Sequence, residues 1–169
     1  MQSNVRFRPG YAAVLAACFL VPWVGTSHAA STTSTFAVQV AITATCTINS
    51  ASTLNFGTQG VLATNVDQTS TLQVTCTNTT PYNIGLDVGT GSGATVAVRK
   101  LTSGGATVNY SLYSDTGRTT VWGNTVSTDT VAGTGNGSGQ SYTVYGRIPA
   151  QTTPAPGNYA DTITVTVTY

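Results

Sequence analysis

The sequence predicts an all-β sandwich, and three observations carry that expectation. Strand-like runs recur about every ten residues, with glycine- or proline-bearing turns between them. Within the runs, apolar residues alternate with Thr, Ser and Gln, the period of a strand with one buried face. Beyond the first 29 residues no apolar i, i+3, i+4, i+7 pattern persists, so nothing reads as an amphipathic helix.

The elements follow in order. Thr35–Thr43, TFAVQVAIT, sets Phe36, Val38, Val40 and Ile42 on one side and Ala37, Gln39 and Ala41 on the other. The run Thr43–Ile48 continues it and breaks at Asn49-Ser50. Leu54–Thr58 reads as a short strand ending at a glycine. Thr69–Thr77 places Leu72, Val74 and Cys76 on one face, so Cys76 points inward toward a bridge across the core. Asn78–Pro81 is turn chemistry. Tyr82–Val88 alternates again.

Val96–Leu101 and Val108–Tyr113 read as strands joined by a hairpin at Ser103-Gly104-Gly105. Val121-Trp122 begins a short strand. Residues 125–140, with Gly133, Gly135, Gly137 and Gly139 spaced by two, read as a flexible surface loop; no Lys follows them, which argues against a phosphate cradle. Ser141–Ile148 is a strand, 149–156 a proline-bearing loop, and Thr162–Tyr169 the last strand, with Ile163, Val165, Val167 and Tyr169 on one face. No internal repeat or domain linker interrupts the chain.

The first 29 residues read as a targeting segment. Arg6 and Arg8 precede an apolar run from Tyr11 to Val24, and Ser27-His28-Ala29 supplies the small residues of a cleavage site. Leu15-Ala16-Ala17-Cys18 also resembles a lipobox, but the apolar run continues through Phe19, Leu20 and Val21, where a lipoprotein turns polar. After cleavage, Arg99, Lys100, Arg118 and Arg147 face five Asp and no Glu, a net charge of −1, and the single histidine, His28, is gone.

That inventory excludes much chemistry. So few cations cannot neutralise a phosphate backbone, which argues against nucleic acid. Without histidine no Ser-His-Asp arrangement exists, and two cysteines cannot complete a zinc shell. Asp115 and Asp129 remain a conceivable carboxylate pair, although Asp115 lies in Ser-Asp-Thr-Gly, where an aspartate caps its own turn. No Asp-x-Asp-x-Asp spacing marks a calcium loop. Tyr110, Tyr113 and Trp122 form either a sugar-stacking platform or part of the core. The expectation is a protein with no catalytic residue, metal, cofactor or small-molecule substrate.

Cys46 and Cys76 remain in the exported chain. An even pair in an oxidising compartment reads as a disulfide, the alternative being two buried thiols. Closing a loop of about 30 residues would stabilise by roughly 3–4 kcal/mol.

Both ends of the exported chain are apolar, alternating strands. They are either the first and last strands of one sandwich, or the first strand of one copy completes the sheet of the next. The ordered motifs favour the second. An alternating N-terminal strand shortly before Cys46-Thr47-Ile48 is followed by Leu54-Asn55-Phe56-Gly57-Thr58 and Val74-Thr75-Cys76. Then come Tyr110-Ser111-Leu112-Tyr113-Ser114-Asp115 with Arg118 and Trp122, and Tyr145-Gly146-Arg147-Ile148-Pro149. Pro156-Gly157-Asn158-Tyr159-Ala160-Asp161 leads into the terminal Thr164–Tyr169. This set resembles the spore coat protein U domain, the pilin fold of archaic (alternative) chaperone–usher pili.

The resemblance implies an incomplete immunoglobulin-like sandwich lacking one strand and completed by donor-strand exchange. It divides the chain into a signal peptide (1–29), a donor strand (30–43) carrying Phe36, Val38, Val40 and Ile42, and a pilin domain (44–169). Ile163, Val165, Val167 and Tyr169 would flank the acceptor groove and meet the chaperone, and the Cys46–Cys76 pair matches the family's disulfide position. The implied partners are a periplasmic chaperone, an outer-membrane usher and neighbouring subunits of a homopolymer. With one domain the chain resembles a shaft subunit, exported through the inner membrane to the periplasm and then to the cell surface, serving adhesion and biofilm formation. The glycine-rich stretch 125–140 has no counterpart in this pattern. The competing function is that of a monomeric secreted sandwich that coats a surface or binds carbohydrate.

Overall fold

The computed structural model describes residues 25–169. The apolar segment expected to target the chain, and Cys18 within it, lie outside the described residues. The packed body runs from Val40 to Tyr169. Residues 25–39 are irregular and exposed.

The body is all-β. Eight strands form it: β1 (Cys46–Ala51), β2 (Val66–Cys76), β3 (Pro81–Leu86), β4 (Arg99–Ser103), β5 (Ala106–Tyr113), β6 (Val131–Thr134), β7 (Gly139–Ile148) and β8 (Val165–Thr168). A five-stranded sheet has the order β1-β2-β7-β5-β4 and a three-stranded sheet the order β6-β3-β8. Every pairing is antiparallel. The longest ladder joins β2 to β7, from Val66 opposite Ile148 to Thr75 opposite Gly139.

The alternation read from the sequence is what closes the core. Leu72, Val74, Val108, Tyr110, Leu112, Val144 and Ile148 from the large sheet meet Tyr82, Ile84 and Leu86 from the small one, and all are buried. Burying each large apolar side chain stabilises by roughly 1.5–3 kcal/mol. Trp122 is fully buried among them, its indole N–H donating to the Ile84 carbonyl at 2.8 Å. That burial, with Tyr110 also inside, rules out the sugar-stacking platform.

Several local expectations are corrected. The chain does not break at Asn49-Ser50: β1 continues through them with a bulge between Ile48 and Ser50, and Asn49 donates to the Thr75 hydroxyl at 2.7 Å. Leu54–Thr58 is no strand, since it finds no ladder; its apolar residues instead cover the core edge, with Phe56 buried. Val121 makes only a single bridge to Tyr113. The last strand is shorter than its pattern, spanning Val165–Thr168.

The disulfide pairs as expected, but not across the core. Cys46 and Cys76 are direct cross-strand neighbours in one sheet, at the first pair of the β1–β2 ladder. The turn at Gly104-Gly105 is a two-residue hairpin with φ +58° at Gly104, as its sequence requires.

The glycine-rich stretch is the largest correction. It is not a loop throughout: β6 lies inside it and β7 begins at Gly139. Gly133 lies in β6 and Gly139 opens β7, while Gly135 and Gly137 fall in the turn between them, Gly137 with φ +77°. A Cβ at Gly133 would sit 2.5 Å from the Tyr142 hydroxyl and from the Tyr82 ring, whose two phenols are hydrogen-bonded to each other. Glycine there lets β6 lie flat on two tyrosines. Gly133→Ala is therefore expected to destabilise the fold by about 1–3 kcal/mol, read as a lowered urea midpoint with an unchanged slope.

Candidate functional site

Two strands have an unpaired edge at the same seam. β1 bonds only to β2, and β8 only to β3. They run close to one another, with no ladder joining them. Where they diverge, a groove of about 300 Å³ opens into the core. Ser52–Leu54 wall it on one side and Asp161–Val165 on the other; Leu72, Leu86, Leu101, Tyr110, Leu112 and Val144 line its interior. Leu54, Ile163, Val165 and Val167 are only half-buried, and Ile48, opposite buried Val74, is exposed. The sandwich thus lacks cover along one seam, where apolar side chains and an unpaired strand edge coincide.

Four carbonyls, one of them of the groove-lining Leu86, converge on one cation. Arg99 is fully buried. Its guanidinium donates to the carbonyls of Asp87 (2.8 Å), Val96 (2.8 Å), Leu86 (3.0 Å) and Trp122 (2.8 Å). Burial pulls its pKa down, while the Tyr110, Asp87, Asp161 and Asp129 side chains pull it up.

Two aspartates hold the approach to β8. Asp161 accepts from the Thr90 N–H (2.7 Å), the Thr90 hydroxyl (2.8 Å) and the Tyr110 hydroxyl (2.7 Å). Burial and this carboxylate push the Tyr110 phenol far above its ordinary value. Gly89, at φ +79°, makes room for Asp161: a Cβ there would overlap the carboxylate. Asp87 accepts from the Gly89 and Thr164 N–H groups at 3.0 and 2.9 Å. Together with a backbone bond from the Asp87 N–H to the Thr164 carbonyl at 3.1 Å, these side-chain bonds hold the segment that leads into β8.

The Asp87 balance has a pH consequence. Burial raises its pKa, but the bonds from Thr164 and Gly89 and the charge of Arg99 outweigh burial and hold it below 3.8. A depressed carboxylate contributes stability above its unfolded pKa and loses it as pH falls through the folded one. Asp87→Asn should accordingly be less stable than the parent at neutral pH, with the difference shrinking as the pH falls below the ordinary carboxylate range. Urea midpoints at neutral and acid pH check this.

The residues singled out in the sequence fall as follows. Ile163 and Val165 line the groove, and Val167 packs on the core further along β8. Tyr169 does not line the groove. It is 59% exposed and borders a separate hollow with Ile42–Ala44 and Thr77–Pro81. Phe36, Val38, Val40 and Ile42 are 79–87% exposed and belong to no ladder. Asp115 and Asp129 each serve their own turn, Asp115 capping Thr119 and Thr120, Asp129 accepting from the Thr125 N–H. Sequence reading missed Arg99, Asp87 and Asp161 as supports of the groove. The sequence carries little signal for Arg99, which lies inside the run Val96–Leu101 directly beside a second cation, Lys100.

Comparison with known proteins assigns the family. The Spore Coat Protein U domain matches residues 32–166. The chain belongs to that family. Protein U of Myxococcus xanthus is 33% identical over 173 residues, covering 94% of this chain and 96% of that protein. The Spore Coat Protein U fold seen here is also similar to a chain of the CsuC–CsuE chaperone–tip adhesion subunit pre-assembly complex from the archaic chaperone–usher Csu pili of Acinetobacter baumannii. That match has a TM-score of 0.57 and 20% identity, covering 76% of this chain and 40% of that one. At that identity it is the fold that is shared, and this chain spans less than half of its counterpart.

Proposed function

We propose that this chain is a structural subunit of surface fibres, exported by a chaperone–usher route and polymerised by donor-strand complementation. One observation carries the reading: an apolar alternating segment lies exposed in the same chain whose sandwich is open along one seam. Residues 1–29 would be removed as a signal, 30–43 would be the donor strand, and 44–169 the acceptor domain. Phe36, Val38, Val40 and Ile42 of one copy enter the groove of the next, beside Ile163 and Val165. Burying four such side chains contributes roughly 6–12 kcal/mol gross. Main-chain bonds to an unpaired edge add affinity, and alternating side chains set the register. Each contact is head-to-tail, so the assembly grows as a filament.

Before assembly the open seam needs a substitute. A periplasmic chaperone would supply it and an outer-membrane usher would exchange it, leaving fibres at the cell surface for adhesion and biofilm formation. The similarity to a chain from a chaperone–subunit complex supports the chaperone step.

The test is a surface extract from cells expressing the protein. Polymers that survive cold SDS and dissociate on boiling are expected, and a chain lacking Ala30–Thr43 should yield none. A stable folded monomer of the mature chain, with its own N-terminal segment paired inside its own sheet, would overturn the reading in favour of a monomeric coat protein.

A further inference from the structure

We propose that the Cys46–Cys76 disulfide is a mechanical stop, which keeps tension in the donor strand from unzipping β1 and with it the groove that grips the next copy. The inference rests on the donor-strand reading above. It concerns what happens to a subunit once it is held in a fibre and pulled.

The path of the load follows from the chain. A donor strand ending at Ile42 is joined to the body through Thr43 and Ala44, both exposed. The first attachment is Thr45, whose N–H donates to the Thr77 hydroxyl at 3.0 Å and whose carbonyl accepts from the Thr77 N–H at 2.9 Å. The next residue is Cys46, bonded covalently to its cross-strand partner Cys76. Tension therefore reaches β1 at its first residue, from the end where β2 finishes.

An antiparallel ladder loaded at one end opens pair by pair, because the terminal pair carries the whole force. Without the disulfide, β1 would peel from Cys46 toward Ala51. That loss would not be local. Ala51 and the residues that follow it, Ser52–Leu54, line the groove. The strand that anchors a subunit's own donor also leads into the wall that holds its neighbour's. Peeling at one junction would release the next.

The disulfide sits at the one ladder pair where it changes this outcome. It passes the load from Cys46 straight to the end of β2. β2 lies between β1 and β7, and its ladder with β7 runs over ten residue pairs. Because β2 is paired on both sides, its end leaves the sheet only if the ladders with β1 and with β7 open at once, whereas β1 alone is held by one ladder. A crosslink further along the same ladder would leave the first pairs free to open.

The experiment pulls single fibres, purified from cells expressing the full chain, in an optical trap, before and after reduction with a phosphine. Alkylation and mass analysis of the same preparation verify that both thiols are freed. Reduction after assembly avoids any demand that a cysteine variant fold. The expected result is a lower parting force, with each subunit-opening step longer by about 100 Å, the reach of the 30 residues freed between the two cysteines. An unchanged parting force after complete reduction overturns the proposal and leaves the donor-strand reading intact. Absence of fibres from the unreduced parent overturns that reading itself.

Discussion

If the proposed exchange holds, Val40→Asp is expected to abolish polymer formation while leaving the disulfide-bonded body folded. In the free chain Val40 is 85% exposed and outside every ladder, so the substitution removes no contact from the subunit itself. In the proposed exchange the same side chain would enter a neighbour's groove, whose lining includes leucines, a tyrosine and a valine. An unpaired carboxylate there either stays charged at high cost or is protonated, and the polar burial alone costs several kcal/mol. Set against a gross gain of roughly 6–12 kcal/mol from four side chains, that deficit is enough to stop stable exchange. Cold SDS gels should lose the ladder of polymers, while the thermal unfolding of the isolated subunit is unchanged. Val40→Ile, which keeps shape and polarity, should polymerise normally. Full-length polymers of the aspartate variant would contradict the assigned donor face.

The second large effect lies in the body. Arg99→Met should destabilise the fold by about 4 kcal/mol or more, since each buried acceptor left without a donor costs about 1–3 kcal/mol. Methionine replaces the apolar stem of the side chain but is shorter and supplies no N–H to the carbonyls of Leu86, Asp87, Val96 and Trp122. It also strips Asp87 of the nearby positive charge. Arg99→Lys should recover only part of the loss, because an ammonium has three donors and no planar fork. Equilibrium urea unfolding distinguishes the three proteins. A methionine variant within 1 kcal/mol of the parent would show that the four carbonyls are held by something other than Arg99.

How much of this was legible beforehand depended on where the information resides. The alternation in 69–77, 82–88, 108–113 and 141–148 fixed which side chains face inward, because a strand has only two faces. The hairpin at Gly104-Gly105 was legible for the same local reason. The glycine-rich stretch was misread because glycine is usually a sign of flexibility, whereas Gly133 answers to Tyr142 on the next strand and to Tyr82, distant in the chain. Leu54–Thr58 had a strand's composition but no partner. The groove was visible only as a pattern at the last strand; its far wall, Ser52–Leu54, is irregular backbone that no periodicity announces. The supports Arg99, Asp87 and Asp161 are tertiary choices, made by carbonyls and amides that the sequence does not display.

The ladder between β2 and β7 has a kinetic consequence. It pairs Val66 with Ile148 and so encloses most of the domain, and β8 must return to β3 from the far end of the chain. Such non-local pairing charges the loop-closure entropy before most contacts form, and domains of this kind fold in milliseconds to seconds rather than microseconds. β1 and β2 are the nearest large-sheet partners to the amino end of the body, and oxidation of Cys46 with Cys76 would fix their register before the later strands arrive. Refolding followed by fluorescence of buried Trp122 should accordingly be slower from the reduced chain than from the oxidised one. The same bond would then serve first as a folding nucleus, long before any fibre exists to be pulled.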